Sequence, residues 1–187
     1  MSSSPRAAVE LVVPGPDFEH EFLALVAQST EFHMGWVQPP SDPDAFSRYL
    51  RRIALSSHKG FIAREISSGR AVGVVNLNDI VLGSLRSASL GYYGFDSTTG
   101  GGRMTEAVRL AIDRGFGELG LHRLEANIQP ANVRSIALVR RCGFVHEGFA
   151  ANYLKIGGQW RDHEHYAIRA ELWRARIAGP AAAGATR

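Results

Sequence analysis

The sequence predicts a single α/β domain of the α+β kind, with a mixed, mostly antiparallel central sheet flanked by helices. Three observations carry this. The strand-like runs Phe61 to Glu65, Ala71 to Ile80 and Ser87 to Phe95 follow one another with only turns between them. A strand-like run, a glycine cluster and a helical run then succeed one another between Ala88 and Ile112. A second strand–turn–helix unit runs from His122 through Asn132 to Cys142. Antiparallel strands followed by a β-α-β-α-β half make a mixed sheet, not a doubly wound one.

Residues 1–8 are expected to be a flexible leader, and Val9 to Val13 reads as the first strand. The spacing of Phe18, Phe22, Leu23 and Val26 predicts a helix over Asp17 to Ser29. Glu31 to Pro40 has no period and is expected to be irregular. Ser41, with Asp44 three residues on, is the candidate cap of a helix running to about Ser56. Ser67 to Arg70 is the turn of a hairpin whose second strand, Ala71 to Ile80, is strongly β-branched. A helix over Arg103 to about Phe116 is punctuated by Gly117 and Gly120, and His122 to Ile128 is a strand. The helix Asn132 to Cys142 ends at Gly143, a natural left-handed stop. Phe144 to Phe149 and His163 to Ile168 are closing strands. The domain is expected to span 9–175, and the Ala- and Gly-rich tail 176–187 to be disordered.

At 187 residues, 45% hydrophobic and 21% charged, the chain has an ordinary globular composition. No apolar run reaches the roughly 18 residues a membrane span needs, and no signal-peptide core is present. The single cysteine, Cys142, excludes an internal disulfide and fits a reducing cytoplasm. Of 21 basic residues only Lys59 and Lys155 are lysines, and the net charge is +3. Arg103, Arg109, Arg134, Arg140 and Arg141 fall near the glycine cluster and favour an anionic ligand or an acidic partner surface. No basic stretch is dense enough for direct nucleic-acid binding. His122, His146, His163 and His165 lack metal-ligand spacing, so no metal is expected.

The chemistry starts at Gly100, Gly101 and Gly102, which open into the helix at Arg103. The first N–H groups of a helix have no partner within it, and the dipole adds partial positive charge. Glycines let those groups approach an anion closely, so a pyrophosphate is the expected ligand. By themselves the glycines fit an ordinary turn equally well. Asn132 starts the second helix, as a cap or as a ligand contact, and Ser135 shares its face. Two such helix starts at neighbouring strand ends suit a long ligand with phosphates at one helix and its reactive end between strands.

These residues lie in longer matching strings. They are GVVNLNDIVLGS from Gly73, LGYYGFD from Leu90, GGGRMTEA from Gly100, HRLEANIQPANVRSIALVRRCGFVHEGF from His122 and YLKIGGQWRDHEHYAI from Tyr153. In this order they resemble the GNAT superfamily of N-acetyltransferases, and within it the RimJ/RimL protein N-terminal acetyltransferases. The resemblance implies a central sheet splayed at a cofactor wedge, and acetyl-coenzyme A (acetyl-CoA) as acyl donor. Backbone amides of Gly100 to Gly102 and of Arg103, Met104 and Thr105 would bind the pyrophosphate. The pantetheine arm would pair with backbone near Tyr93, Gly94 and Phe95, where the strand splays from His122–Ile128. Asn132 would hold the pantetheine amide. An N–H near Gly94 would meet the oxyanion. Ser135, near the sulfur, would protonate the leaving thiolate. An α-amine, with a pKa near 7.7–8.0, is partly neutral without help, so a weak base or a water chain suffices.

The sequence departs from the family at Ser97 and Thr98, where relatives carry Gln or Arg and often an aromatic residue. Asn152 stands where some relatives have an acid, which leaves no carried-over base; Glu125, on the wedge strand, is the candidate that could act through water or equally be a surface residue pointing away. Asp162 is expected to tie down a turn, and Cys142 to pack. The acceptor is expected between Glu31–Pro40, Asn76–Ser84 and Tyr153–Trp160. Glu31, Phe32, Met34, Trp36 and Trp160 would line that groove, and Asn76 would offer it a polar contact or merely satisfy nearby backbone. The leading expectation is acetylation of a protein or peptide α-amine, as in a ribosomal protein. A small amine, another acyl group such as succinyl, or a non-catalytic acyl-CoA-binding module are the alternatives. A homodimer is the expected assembly from relatives.

Overall fold

The computed structural model describes residues 8–98 and 100–179. Its strands are β1 (Val9–Val12), β2 (Lys59–Glu65), β3 (Ala71–Val81), β4 (Ser87–Gly94), β5 (Arg123–Ile128), β6 (Val145–Ile156) and β7 (Gln159–Arg169). Its helices are α1 (Glu19–Gln28), α2 (Thr30–His33), α3 (Pro43–Ile53), α4 (Arg103–Gly117), α5 (Val133–Cys142) and α6 (Ala170–Ala178). The strands form one sheet in the order β1-β2-β3-β4-β5-β7-β6, and only β4 and β5 run parallel.

β3 lies inside the sheet, between β2 and β4, because its β-branched run buries both faces. Val72, Val75 and Leu77 pack with Ala107, Val108, Ala111 and Ile112 of α4. Val74 faces the other way, into a cluster of Phe22, Phe46 and Tyr49 from α1 and α3 with Phe95. β5 alternates instead: Leu124, Ala126 and Ile128 are buried, whereas Arg123, Glu125 and Asn127 are half-buried on the opposite face. No β5 residue belongs to the α1–α3 cluster, so the sheet beside those helices stays uncovered. That bare strip positions the site.

Several elements differ from the sequence expectation. The cap of α3 is Asp42, not Ser41: its Oδ1 accepts from the Ala45 N–H at 2.7 Å, and Pro43 opens the helix. The helix ends at Ile53. The stretch expected to be irregular begins with the single turn α2. β6 and β7 are far longer than the two short strands expected, at 12 and 11 residues. Gly157 and Gly158, with φ of 59° and 78°, close them into a hairpin. β6 carries a bulge at Asn152 (φ 50°), whose N–H donates to Asp162 Oδ1 at 2.8 Å, so Asp162 ties down a bulge. α6 runs to Ala178, past the expected boundary at 175, and docks through buried Trp173, whose Nε1–H donates to Asp113 at 2.6 Å. Residues 1–7 of the expected leader and 180–187 of the expected tail lie outside the described residues. No helix among the described residues is long and apolar enough to cross a membrane.

Candidate active site

β4 and β5 pair only at Ser87–Arg123, Ala88–Leu124 and Ser89–Glu125, although both strands continue. Beyond Ser89 they part, which leaves β4 without a β5 partner along a wedge. Two helix starts flank it. Gly100, Gly101 and Gly102 all have positive φ (109°, 60° and 76°), which L side chains rarely adopt. A Cβ at Gly100 or Gly102 would meet nothing within 4 Å, so these glycines serve backbone conformation and leave room for a ligand. Gly102, the residue at the N-cap of α4, has no side chain to cap the helix. Of the side chains expected here, Thr105 is buried and Met104 packs on the core around Gly73, so these two contribute backbone only. The Arg103 guanidinium turns back across the loop: its Nε donates to Glu65 at 2.6 Å, and Nη1 lies 3.1 Å from where a Cβ of Gly101 would be.

α5 starts at Asn132, whose Oδ1 accepts from the Ser135 N–H at 3.1 Å, and ends at Gly143 (φ 96°). Ser135 Oγ lies 2.6 Å from the Tyr92 phenol, which also donates to the Ser135 carbonyl at 3.1 Å. Burial pushes the Tyr92 pKa far above its ordinary value, so the phenol stays protonated. Tyr92 is the functional candidate that sequence reasoning missed. Its contact spans 43 residues, and no local pattern in the sequence marks it.

On the other face of β4, Tyr93 packs edge-on against His33 and Phe95, with centroids 5.3 Å and 6.2 Å away. The Phe95 N–H donates to the Val72 carbonyl at 3.0 Å. The Gly94 carbonyl accepts from His33 Nε2 at 2.8 Å. Two backbone groups expected to meet the cofactor arm are therefore already engaged.

The bare strip on this second face holds a cleft of about 480 Å³, lined by Asn78, Asp79, Ser89, Glu125, Asn127 and Tyr153 among others. Asn78, Ser89 and Glu125 lie in one row across three strands. The amide of Asn78 sits 3.2 Å from where a Cβ of Gly91 would be, so Gly91 keeps the floor open. Asn78 and Asn127 each hold a buried Oδ1 without a partner. Glu125 accepts from Arg123 Nε at 2.6 Å, and Arg123 also pairs closely with Glu147. That guanidinium holds the Glu147 carboxyl below the usual range, and the paired carboxylates push the Arg123 pKa up. Asp79 faces His58 at 3.7 Å.

The acceptor-side residues divide. Glu31 and Trp36 are exposed, Phe32 is half-buried, and Met34 and Trp160 are 68% and 59% exposed. The chain carrying Trp36 is stitched to its surroundings, because Gln129 Nε2 donates to the Gly35 carbonyl at 2.7 Å and Gly157 N–H donates to Gln38 at 3.2 Å. Asn76 does not reach the groove. It is 7% exposed, and its Oδ1 accepts from the Tyr49 hydroxyl at 2.9 Å. The polar contact expected from it passes to Asn78, two residues along the same face. No group of three His, Cys, Asp or Glu among the described residues is arranged to hold a metal ion.

A glycine turn at the start of α4, a wedge between parting strands and a polar cleft behind it are the features that flank β4. A family model described as "Acetyltransferase (GNAT) domain" matches residues 12–145, so the chain belongs to the GNAT acetyltransferase family and is an acetyltransferase. Within it the chain falls in the RimJ/RimL-like branch. It is 39% identical over 122 residues to "Probable N-acetyltransferase YjcK" of Bacillus subtilis, covering 65% of this chain and 67% of that protein. It is 41% identical over 102 residues to the "[Ribosomal protein uS5]-alanine N-acetyltransferase" of Escherichia coli, covering 54% of this chain and 53% of that one. The chain thus spans about half the length of this second relative. Mycobacterium smegmatis RimJ, solved in complex with CoA-disulfide, superimposes with a TM-score of 0.80 at 27% identity, over 87% of this chain and 82% of that one. Spermidine N-acetyltransferase of Vibrio cholerae, solved with CoA and spermine, shares the fold at a TM-score of 0.78 and 19% identity, over 91% and 100%.

Proposed function

We propose that this chain acetylates the α-amine of a protein N-terminus, such as that of a ribosomal protein, by direct attack in a ternary complex. The observation that carries it is the wedge between β4 and β5, open to a phosphate-type turn on one side and to a polar cleft on the other. Acetyl-CoA, when bound, supplies the acetyl thioester. The amides at Gly100–Gly102, Arg103, Met104 and Thr105 hold its pyrophosphate. Asn132, its Oδ1 engaged, keeps its Nδ2–H groups for the pantetheine amide. The incoming amine lies on the cleft side, where Glu125 takes its proton through water. The Glu125 carboxylate is already hydrogen-bonded to Arg123, so the proton is relayed by water, which suits an amine that is already partly neutral. Tyr92 donates to the Ser135 carbonyl and sits 2.6 Å from Ser135 Oγ; with the Tyr92 hydrogen shared between those two oxygens, the Ser135 hydrogen can turn to the departing sulfur.

The cleft favours a peptide over a polyamine. Its carboxylates are already engaged, Glu125 by the Arg123 guanidinium and Asp79 facing His58 at 3.7 Å, and the cation Arg52 lines the same space. A polyamine with several ammonium groups needs uncompensated acids, whereas Asn78, Asn127 and Ser89 match main-chain groups. The apolar rim of Met34, Trp36 and Trp160 suits a larger partner. The likeness to the Escherichia coli enzyme for ribosomal protein uS5 supports the same reading. The buried Cys142 fits action in a reducing cytoplasm. The test is acyl transfer read by intact mass, with acetyl- and succinyl-CoA offered against peptides starting Ser, Ala or Met, an internal-lysine peptide and spermidine. Acetylation confined to α-amines is expected. Transfer to spermidine alone overturns the acceptor, and CoA binding without transfer to any amine overturns the enzyme reading.

A further inference from the structure

We infer that Glu65 is a positioning residue for the donor pyrophosphate, acting through the Arg103 guanidinium that it holds across the Gly100–Gly102 turn. The role rests on the acetyl-CoA site proposed above. It starts from a misfit. Arg103 is the first residue of α4, where the helix dipole disfavours a cation. A sequence that breaks a local rule at a binding turn commonly does so for the ligand. The turn also lacks the Gln or Arg that the family resemblance places at Ser97, so its backbone supplies N–H groups but no full charge. Arg103 restores that charge from the opposite end of the turn.

An unrestrained arginine at a helix start would sample many rotamers, and ordering it on the ligand would weaken binding. Here the ordering precedes the ligand. Glu65, the last residue of β2, accepts from Arg103 Nε at 2.6 Å, and its other oxygen accepts from Ser68 Oγ at 2.6 Å. Its own carbonyl accepts from the Gly69 N–H at 2.8 Å, which ties the carboxylate to the β2–β3 turn. The Ser68 and Arg103 bonds hold the Glu65 carboxyl below its ordinary range, so it stays charged. With Nε taken, the guanidinium keeps its Nη1–Nη2 edge, and Nη1 is the end that lies over Gly101. That edge is the bidentate fork that fits a phosphate. Glu65 sits behind the guanidinium, so its charge opposes the anion from farther away than Arg103 attracts it.

The test compares two donors in the full-length chain: acetyl-CoA, and acetyl-pantetheine, which carries the same thioester and no phosphate. Arg103→Ala is expected to raise the acetyl-CoA KM about tenfold with little change in kcat, and Glu65→Gln to raise it severalfold. Neither should alter the constants for acetyl-pantetheine. Adding Glu65→Gln to Arg103→Ala should cause no further loss, because Glu65 acts only through the arginine. Equal losses with both donors would mean that the pair merely staples α4 to β2, and would overturn the role. An unchanged acetyl-CoA KM in Glu65→Gln would overturn it too. Failure of the unaltered chain to bind coenzyme A in calorimetry would instead remove the donor site, and this role with it.

Discussion

At the scale of single residues, the acid end of the proposed reaction rests on two hydroxyls 2.6 Å apart, Ser135 and Tyr92. Ser135→Ala removes the group proposed to protonate the sulfur, so kcat should fall about a hundredfold while the acetyl-CoA KM hardly moves. Tyr92→Phe keeps the ring and removes the partner that orients Ser135, so kcat should fall about tenfold. Steady-state kinetics with a peptide acceptor check both. An undiminished kcat in Ser135→Ala would take Ser135 out of the mechanism, and the same result in Tyr92→Phe would confine the phenol to packing. Ser135 was legible in the sequence because it lies three residues after a helix-starting Asn132, a local relation. Tyr92 and Glu65 were not, because the contact on which each proposed role rests spans 43 or 38 residues. Asn76 shows the converse. It was legible as a polar strand residue, yet the hydroxyl that claims it comes from Tyr49, 27 residues away.

At the scale of elements, local chemistry placed most boundaries and tertiary packing moved the others. Gly143 ends α5 where a left-handed residue was expected, and the β-branched run of β3 lies inside the sheet, between β2 and β4. The β6–β7 hairpin was under-read because most β6 residues are exposed on both faces, so no alternation marks it. α6 was missed because its exposed arginines and leucine leave only Ala170 and Trp173 buried, too few for an apolar stripe. The cap of α3 is a choice between neighbouring residues, and Pro43 decides it. A proline suits the first helical position, which makes Asp42 the residue before it the cap. Asp42→Ala should lower stability by about 1 kcal/mol, and Tm by about 2–4 °C for a chain of this size. Ser41→Ala should leave Tm within about 1 °C, and differential scanning calorimetry on the pair separates them. Equal shifts would return the cap to Ser41.

At the scale of the whole molecule, two packed clusters meet along β4, and the acceptor-side chain is fastened to the donor-side strand at that seam. Ser29 Oγ accepts from the Asp96 N–H at 3.0 Å, and His33 Nε2–H donates to the Gly94 carbonyl at 2.8 Å. The sequence showed a mostly antiparallel sheet opening between two helix starts, but not this fastening, since His33 lay in a stretch without a period. His33 is 4% exposed, and burial lowers its pKa against the opposing pull of the Gly94 carbonyl and Asp96. The rings of Tyr93, Phe95 and Phe32 pack around it, and its Nδ1 is buried without a partner. The folded state therefore keeps the ring neutral, because a proton on Nδ1 would add a charge and an unmatched donor. A depressed folded pKa contributes stability that is fully present above the unfolded value near 6.5 and is lost as pH falls through the folded one. His163, buried and lowered for the same reason, supplies a parallel background. His33→Gln retains an N–H for the Gly94 carbonyl and cannot titrate. Its Tm should therefore fall less than that of the unaltered chain as pH is lowered from about 7.5 to 5, with the two curves converging in shape above pH 7. Parallel curves across the whole range would remove His33 as the titrating group and leave the acid sensitivity to His163.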